Sequence, residues 1–363
     1  MPAFFIVLFS LYLSGNIYIF IRGWQAVCGL PVALKIALAI LYWLGTLSFF
    51  SMLKARDGGL PMTLAHYLHE IGTGWLVFTL YMVLCLLFID FLKLFHFQWL
   101  YSFHVVLSLV LCVLCYGYIN YKHTRVKTID LSIAKPLSSS VKHIKAVAIS
   151  DVHMGVGTDK GAMKKYVELI NSQQPDIVLI AGDLIDNSVV PLRIMRMEEE
   201  LAQIKAPMGI YMCPGNHEHI SRLGESIEFL RNTPVQLLID SVATLPNGLQ
   251  IAGRADRSSN SRFSVAELVK KADLSNPLIL LDHQPTELDA AADAGVDLQI
   301  SGHTHKGQIW PISLLTNYMF ELSYGYMKKG NTHFYTSSGL SLWGPPFRIG
   351  SVSELVVFNL TFE

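Results

Sequence analysis

The chain has 363 residues, 52% of them hydrophobic and only 15% charged, which is too apolar for an ordinary soluble protein. Its 28 basic and 28 acidic residues cancel, so the cationic excess that non-specific nucleic-acid binding needs is missing and nucleic acid is not expected as a partner. Of five cysteines, four (Cys28, Cys85, Cys112, Cys115) lie in the apolar N-terminal third and Cys213 in an apolar run, a placement that reads as small apolar side chains and excludes a disulfide framework.

Four apolar stretches open the chain, at about residues 3–21, 32–53, 72–91 and 99–119. Each approaches the roughly 20 residues a helix needs to cross a bilayer, so residues 1–120 are expected to form an all-α bundle of four spans in a cell membrane. The first stretch lacks a basic segment ahead of its apolar core and is expected to remain a span, not a cleaved signal. Trp24, Trp43, Trp75 and Trp99 fall toward the ends of these runs, where amphipathic rings meet headgroups. Four spans put both ends of the region on one side, with Lys54, Arg56, Lys122, Arg125 and Lys127, whereas Arg22, Lys35 and Lys93 fall on the other. That excess predicts a cytoplasmic location for the domain after them. Asn16 and His104 lie inside spans, either as parts of a site or as polar contacts between packed helices.

Residues 121–143 are polar and basic, with Pro136 and serines at 138, 139 and 140. They read as a linker that holds a strand at 127–133. From 144 to 363 strands and helices alternate. Short apolar runs near 147–149, 177–180, 209–213, 249–252, 278–281 and 298–300 read as buried strands. Residues 163–173, 192–203, 221–232 and 265–272 carry a helical apolar stripe. The alternation predicts a layered α/β domain.

The residues just past each strand are more informative. The strand at Val147 leads into Asp151-Val152-His153, and the next into Gly182-Asp183-Leu184-Ile185-Asp186. Later strands lead into Gly215-Asn216-His217-Glu218, into Asp282-His283, and into Gly302-His303-Thr304-His305. Metal-capable side chains thus recur at the C-terminal tips of strands, the edge at which open α/β sheets bind ligands, and the glycines let backbone approach an ion closely.

This ordered set, DVH, GDLID, GNHE, an isolated H and GHTH, resembles the calcineurin-like metallophosphoesterase superfamily over residues from about 145 to the end. Membrane spans ahead of such a domain look like the membrane-bound metallophosphoesterases of bacteria and their transmembrane eukaryotic relatives. The resemblance implies an α/β fold, a layered β-sandwich flanked by helices, and two divalent metal ions per chain. Asp151, His153, Asp183 and His305 would hold one ion; Asp183, Asn216, His283 and His303 would hold the other. His217 would be the general acid for the leaving oxygen. Ligation by His, Asp and Asn without Cys suits manganese, iron or zinc. Two divalent cations against two aspartates and a hydroxide leave about one net positive charge, which favours a phosphate anion.

Other positions stay open. Asp186 either supports a ligand from behind or caps a helix, and His219 lies at the surface or behind a ligand. Lys306, where many membrane-associated relatives have glycine, either touches phosphate or faces solvent; Arg348 is either a phosphate clamp or a surface residue. The aromatic segment 309–326 is either core or a lip that dips into lipid. The expected activity is a membrane-anchored phosphohydrolase acting on a phosphoester or pyrophosphate, of a lipid or lipid precursor. The alternative is a metal-binding scaffold without turnover. An ion path through the spans is disfavoured by their lack of internal charge. Oligomeric state has no signature in the sequence.

Overall fold

The computed structural model describes the backbone of every residue except 1, 56–58, 97–98 and 139, and the side chains of all but those, 2–5 and 51–55. Arg56 and Ser139, named among the sequence features, lie outside the described residues. The chain divides into two compact units, Met1–Ile119 with Gly344–Phe347, and Asn120–Trp343 with Arg348–Glu363.

The first unit contains α1 (Pro2–Ala26), α2 (Val32–Ala55), α3 (Met62–Lys93) and α4 (Ser102–Lys122, whose last residues fall in the second unit). All four are long and apolar enough to cross a membrane. Many of their large apolar side chains are exposed, among them Leu11, Ile40, Leu44 and Phe88, as lipid-facing surfaces are. Inside, Asn16 is buried, and its side-chain oxygen accepts hydrogen bonds from Tyr42 (2.9 Å), Thr46 (3.1 Å) and the Trp75 indole (3.0 Å). It is therefore a polar contact joining α1, α2 and α3 and not a site. Near one end of the helices, Arg22 and Lys93 both pair with Asp90, at 2.6 and 2.8 Å.

The second unit begins with β1 (Arg125–Ile133), β2 (His143–Ile149), α5 (Lys160–Ser172) and β3 (Ile177–Ala181). Then come α6 (Val190–Met195), α7 (Glu198–Leu201), β4 (Ile210–Cys213), α8 (Asn216–Ile220), α9 (Leu223–Leu230), β5 (Val235–Leu237), β6 (Ser241–Thr244) and β7 (Gln250–Gly253). The rest are α10 (Val265–Val269), β8 (Leu278–Leu281), α11 (Leu288–Asp293), β9 (Leu298–Ser301), α12 (Ile312–Met319), β10 (Gly325–Lys329), β11 (Thr332–Thr336) and β12 (Glu354–Phe362). Two six-stranded sheets result, ordered β1-β12-β2-β3-β4-β5 and β10-β11-β9-β8-β7-β6. Strands β2 to β5 run parallel, as do β7, β8, β9 and β11.

The strands β3 (Ile-Val-Leu-Ile-Ala) and β8 (Leu-Ile-Leu-Leu) are buried at every position, as parallel strands covered on both faces must be. One face of the first sheet packs on α5, α6, α7 and α9 through residues such as Val178, Met163, Leu192 and Phe229. The other meets the second sheet through Leu179, Ile251, Ile279 and Phe358. The second sheet's outer face is covered by α10 and α11 through Leu268, Leu280 and Leu288. The result is a β-sandwich flanked by helices.

The stretch 121–143 is less of a linker than its composition suggests, because β1 pairs in parallel with β12 along all nine of its residues, Arg125 to Ile133. The helix expected over 192–203 is split at Arg196, whose φ of 55° turns the chain left-handed. The helix expected over 221–232 is α9, and Arg222 (φ 66°) separates it from α8 ahead of it.

Candidate metal centre

Five parallel strands end at one place. After β2, the Asp151 N–H donates to Gly182 O (3.1 Å) and the His153 N–H to Asp183 O (3.0 Å), so the loops after β2 and β3 are laced together by backbone. The Asp151 carboxylate accepts the N–H of His303 (3.0 Å), and the Asp183 carboxylate accepts that of His217 (2.8 Å). Close backbone approach makes this possible: a Cβ on Gly302 would lie 2.6 Å from Ser150 Cβ, and one on Gly215 would lie 2.7 Å from Asp183 N. Asp151, His153, Asp183, His303 and His305 all have φ between 48° and 70°. Non-glycine residues rarely adopt this region, and such strain persists where surrounding contacts over-determine it.

The side chains expected as ligands are brought together. His153 Nε2 lies 3.1 Å from His305 Nε2 and 3.9 Å from both Asp151 Oδ1 and Asp183 Oδ2; His305 Nε2 is 3.4 Å from Asp151 Oδ1. In a second group, His283 Nε2 is 3.0 Å from Asp183 Oδ2 and 3.2 Å from Asn216 Oδ1, which is 2.8 Å from His303 Nδ1. Asp183 Oδ2 is common to both groups.

The chemistry of these donors fits cations. Ligand atoms held about 2.0–2.2 Å from one ion stand roughly 3–4 Å apart, as these atoms do. The His283 Nδ1–H donates to Ala181 O at 2.7 Å, which turns Nε2 toward Asp183 Oδ2 and Asn216 Oδ1. Ligating histidines are oriented by that arrangement. Among the described residues the Nδ1 atoms of His153 and His305 are buried without a hydrogen-bond partner, the first of them facing Asp186 Oδ1 at 3.5 Å, beyond a good hydrogen bond.

Electrostatics set the histidines apart: burial would lower His283, but the charges of Asp183 and Asp151 outweigh it and hold its pKa well above the usual range, whereas two others are lowered. Burial and the neighbouring His283 lower the His303 pKa to about 4; burial and His153 hold that of His305 well below its usual range. Both imidazoles are therefore neutral, the state that binds metal. Burial raises the Asp151 carboxyl. Burial would also raise Asp183, but the charge of His283 and its hydrogen bond outweigh this and lower it.

His217 occupies a different position. Its Nδ1 lies 3.0 Å from Asp186 O, to which it donates, and 3.2 Å from Asp186 Oδ1. Its ring lies edge-on to His153, with centroids 4.5 Å apart, and the exposed Trp343 ring is 6.3 Å away. Burial pulls its pKa down, but the Asp186 hydrogen bond and the charges of Asp183 and Asp186 together raise it to about 9. Asp186, 3.5 Å from His153 Nδ1 as well, thus supports two histidines from behind and caps no helix.

Two sequence readings change. Arg348 is not a surface residue and does not face a ligand: it is fully buried, and its guanidinium donates to His305 O (3.0 Å), Gly339 O (3.3 Å) and Ser341 O. A clamp on substrate phosphate needs accessible donors, whereas both terminal nitrogens are already used to hold the His305 loop and the Gly339–Ser341 backbone inside the core. The Lys306 ammonium neither points freely to solvent nor stands unpaired, since it lies 4.4 Å from the centre of the Tyr324 ring, a cation–π contact. His219 is half-buried outside both groups.

Glu218 was given no role by sequence reasoning. It is wholly buried, with Oε2 accepting from Asp183 N (3.0 Å) and Gly215 N (2.7 Å) and Oε1 from Ile185 N (2.9 Å). One carboxylate therefore clasps the loops that carry Asp183 and Asn216. The available signal was a buried-type position in Asn-His-Glu directly after a strand tip.

The sequence model of the calcineurin-like phosphoesterase family matches residues 144–307. A Helicobacter pylori protein described as an uncharacterized metallophosphoesterase is 33% identical over 225 residues, 60% of each chain. A Campylobacter jejuni protein of the same description is 33% identical over 266 residues, covering 71% of this chain and 69% of that one. A Danio rerio protein described as a transmembrane protein with metallophosphoesterase domain is 30% identical over 268 residues, 69% of this chain and 60% of that one. The match to the Helicobacter pylori relative thus leaves two fifths of that protein uncovered.

Proposed function

Because this chain belongs to the calcineurin-like metallophosphoesterase family, we propose that it is a membrane-anchored phosphohydrolase that works with two divalent metal ions. The observation that carries this reading is the pair of ligand groups sharing one Asp183 oxygen, 3.9 Å from His153 Nε2 and 3.0 Å from His283 Nε2. Asp151, His153, Asp183 and His305 would hold one ion and Asp183, Asn216, His283 and His303 the other. When bound, manganese, iron or zinc would supply Lewis acidity toward phosphoryl oxygens and bring the pKa of water toward neutrality.

The chain's own residues supply the rest. Only two carboxylates stand among the ligands, and the histidines and the asparagine amide add no negative charge, so the loaded site would keep a positive charge and attract phosphate. His217, whose Nδ1–H is engaged by Asp186 O, keeps Nε2 for the leaving oxygen; among the described residues no protein atom hydrogen-bonds that nitrogen. Near neutral pH a pKa of about 9 leaves this nitrogen protonated and able to donate. The four apolar helices would span the membrane, with the domain on the cytoplasmic side, and tethering favours a phosphoester or pyrophosphate of a lipid or lipid precursor.

The test is hydrolysis of bis(p-nitrophenyl) phosphate and a panel of phospholipid head-group substrates by the full chain, metals being added singly. Turnover with at least one metal is expected, and His217→Ala should lower it roughly 10²–10⁴-fold with metal content unchanged. No turnover with any metal would favour the silent scaffold, and undiminished turnover by His217→Ala would remove that residue's role.

A further inference from the structure

The helix α12 begins five residues after the end of the 3₁₀ turn His305–Gly307, and its amphipathicity is reversed. A helix on a water-soluble domain turns its apolar stripe inward. Here the least exposed positions are polar, Ser313 and Thr316, whereas no residue of the helix is buried. Leu314 is 61% exposed, Leu315 56%, Tyr318 90% and Met319 62%. These four are spaced i, i+1, i+4 and i+5 and so share one face. Trp310, just before the helix, is half exposed. From Trp310 to Phe320 there is no charged residue.

The helix is fixed to the ligand-bearing loop. Gly307 packs against Ser313 so closely that a Cβ would clash with its backbone. The Phe320 ring, at the helix end, lies 5.9 Å from the His303 ring. Thr304, between the two ligand histidines, donates to Ser323 O at 2.6 Å. The outward apolar face and the metal-ligating side chains thus belong to one local structure.

An apolar face of this kind on a domain in water is a liability or an interface. The chain itself indicates what covers it. The last candidate span ends at Lys122 and β1 starts at Arg125, so two residues, at about 3.3 Å each, join the domain to a membrane helix. Aliphatic groups flanked by Trp and Tyr without charge are the composition that settles at the boundary of headgroups and acyl chains.

We propose that α12 with Trp310 is an interfacial helix that lies in the surface of the bilayer and presents the His303–His305 loop to phosphoesters carried by lipids. Contact with lipid stands on the reversed face alone; the substrate class rests on the phosphohydrolase reading.

Two arms test this on the full chain in lipid nanodiscs of phosphatidylcholine and phosphatidylglycerol. In the first, Tyr318 is replaced by photoreactive benzoylphenylalanine, with Leu274 on the domain's other flank as control, and adducts are identified by mass spectrometry. Lipid adducts at 318 and none at 274 are expected. Adducts to a second copy of the chain, or none at all, would overturn the proposal. In the second, a Leu314→Glu, Leu315→Glu double variant should lose about tenfold or more of its activity on lipid-borne phosphodiester and keep its activity on bis(p-nitrophenyl) phosphate. Equal loss on both, or no loss on either, would overturn the lipid-presentation role. Should wild type hydrolyse neither compound, the phosphohydrolase reading fails while the adduct arm still decides the membrane contact.

Discussion

Replacing Glu218 with Gln alters one atom and removes a charge from a buried clasp. Wild-type Oε2 serves the N–H groups of Asp183 and Gly215, and Oε1 that of Ile185. An amide has one acceptor oxygen, so if it keeps Asp183 and Gly215, its NH2 faces the Ile185 N–H, donor against donor. One hydrogen bond to a charged group, worth about 1.5–3 kcal/mol, is lost outright, and two others fall to neutral strength at roughly 1 kcal/mol each. The sum is about 3–5 kcal/mol. In a domain of roughly 150–250 residues each kcal/mol moves the melting temperature by about 2–4 °C, so a fall of about 6–20 °C is expected. Asp183, held with φ 52° partly by this clasp, would also bind metal some 10–100-fold more weakly. Thermal unfolding followed by near-ultraviolet circular dichroism, with manganese titration of the same samples, reads both. A melting temperature within about 2 °C of wild type, with unchanged metal affinity, would refute the positioning role derived for Glu218.

Asp186→Asn bears on pH. His217 must carry a proton to donate it, so activity falls as pH rises through its pKa. Burial lowers that pKa while the Asp186 hydrogen bond and nearby carboxylates raise it to about 9; the variant's alkaline limb should therefore move to lower pH, and an unmoved profile would detach Asp186 from the proton donor. Arg348→Met strips donors from three buried carbonyls, costing about 3–9 kcal/mol at roughly 1–3 per orphaned group. It should lower the melting temperature and weaken metal binding on the His305 side, with partial rescue by Arg348→Lys; a wild-type melt would contradict this. Exhaustive chelation should abolish hydrolysis, and manganese, iron or zinc should restore it; activity persisting in verified metal-free protein would be decisive against the ligand assignment.

The legible parts of the sequence were those written in local pattern. The strand tips at Asp151, Asp183, Asn216, His283 and His303 could be read because an apolar run of strand length ends in a glycine or a metal-capable residue at each. The four long helices could be read because each is an unbroken apolar run of membrane-crossing length. What escaped depends on partners distant in sequence. A strand at 127–133 was legible but its place in the sheet was not, because its partner, β12, starts at Glu354, and no local signal announces parallel pairing across more than two hundred residues. Arg348 looked exposed because Gly-Pro-Pro-Phe-Arg reads as loop, and only the fold shows three carbonyls converging on it. The left-handed break at Arg196 came at a residue with no preference for that conformation, so the helical stripe over 192–203 ran through it unmarked. Glu218 was visible as a residue, but its three donors come from two other loops.

Metal content tests the central claim most directly. The full chain, reconstituted with manganese and cleared of loosely bound ions, should carry two ions per chain by inductively coupled plasma mass spectrometry. His305→Ala should carry about one, and Asp183→Asn, which strikes the oxygen shared by both groups, close to none. Substoichiometric metal in wild type, or Asp183→Asn still holding two, would contradict the account.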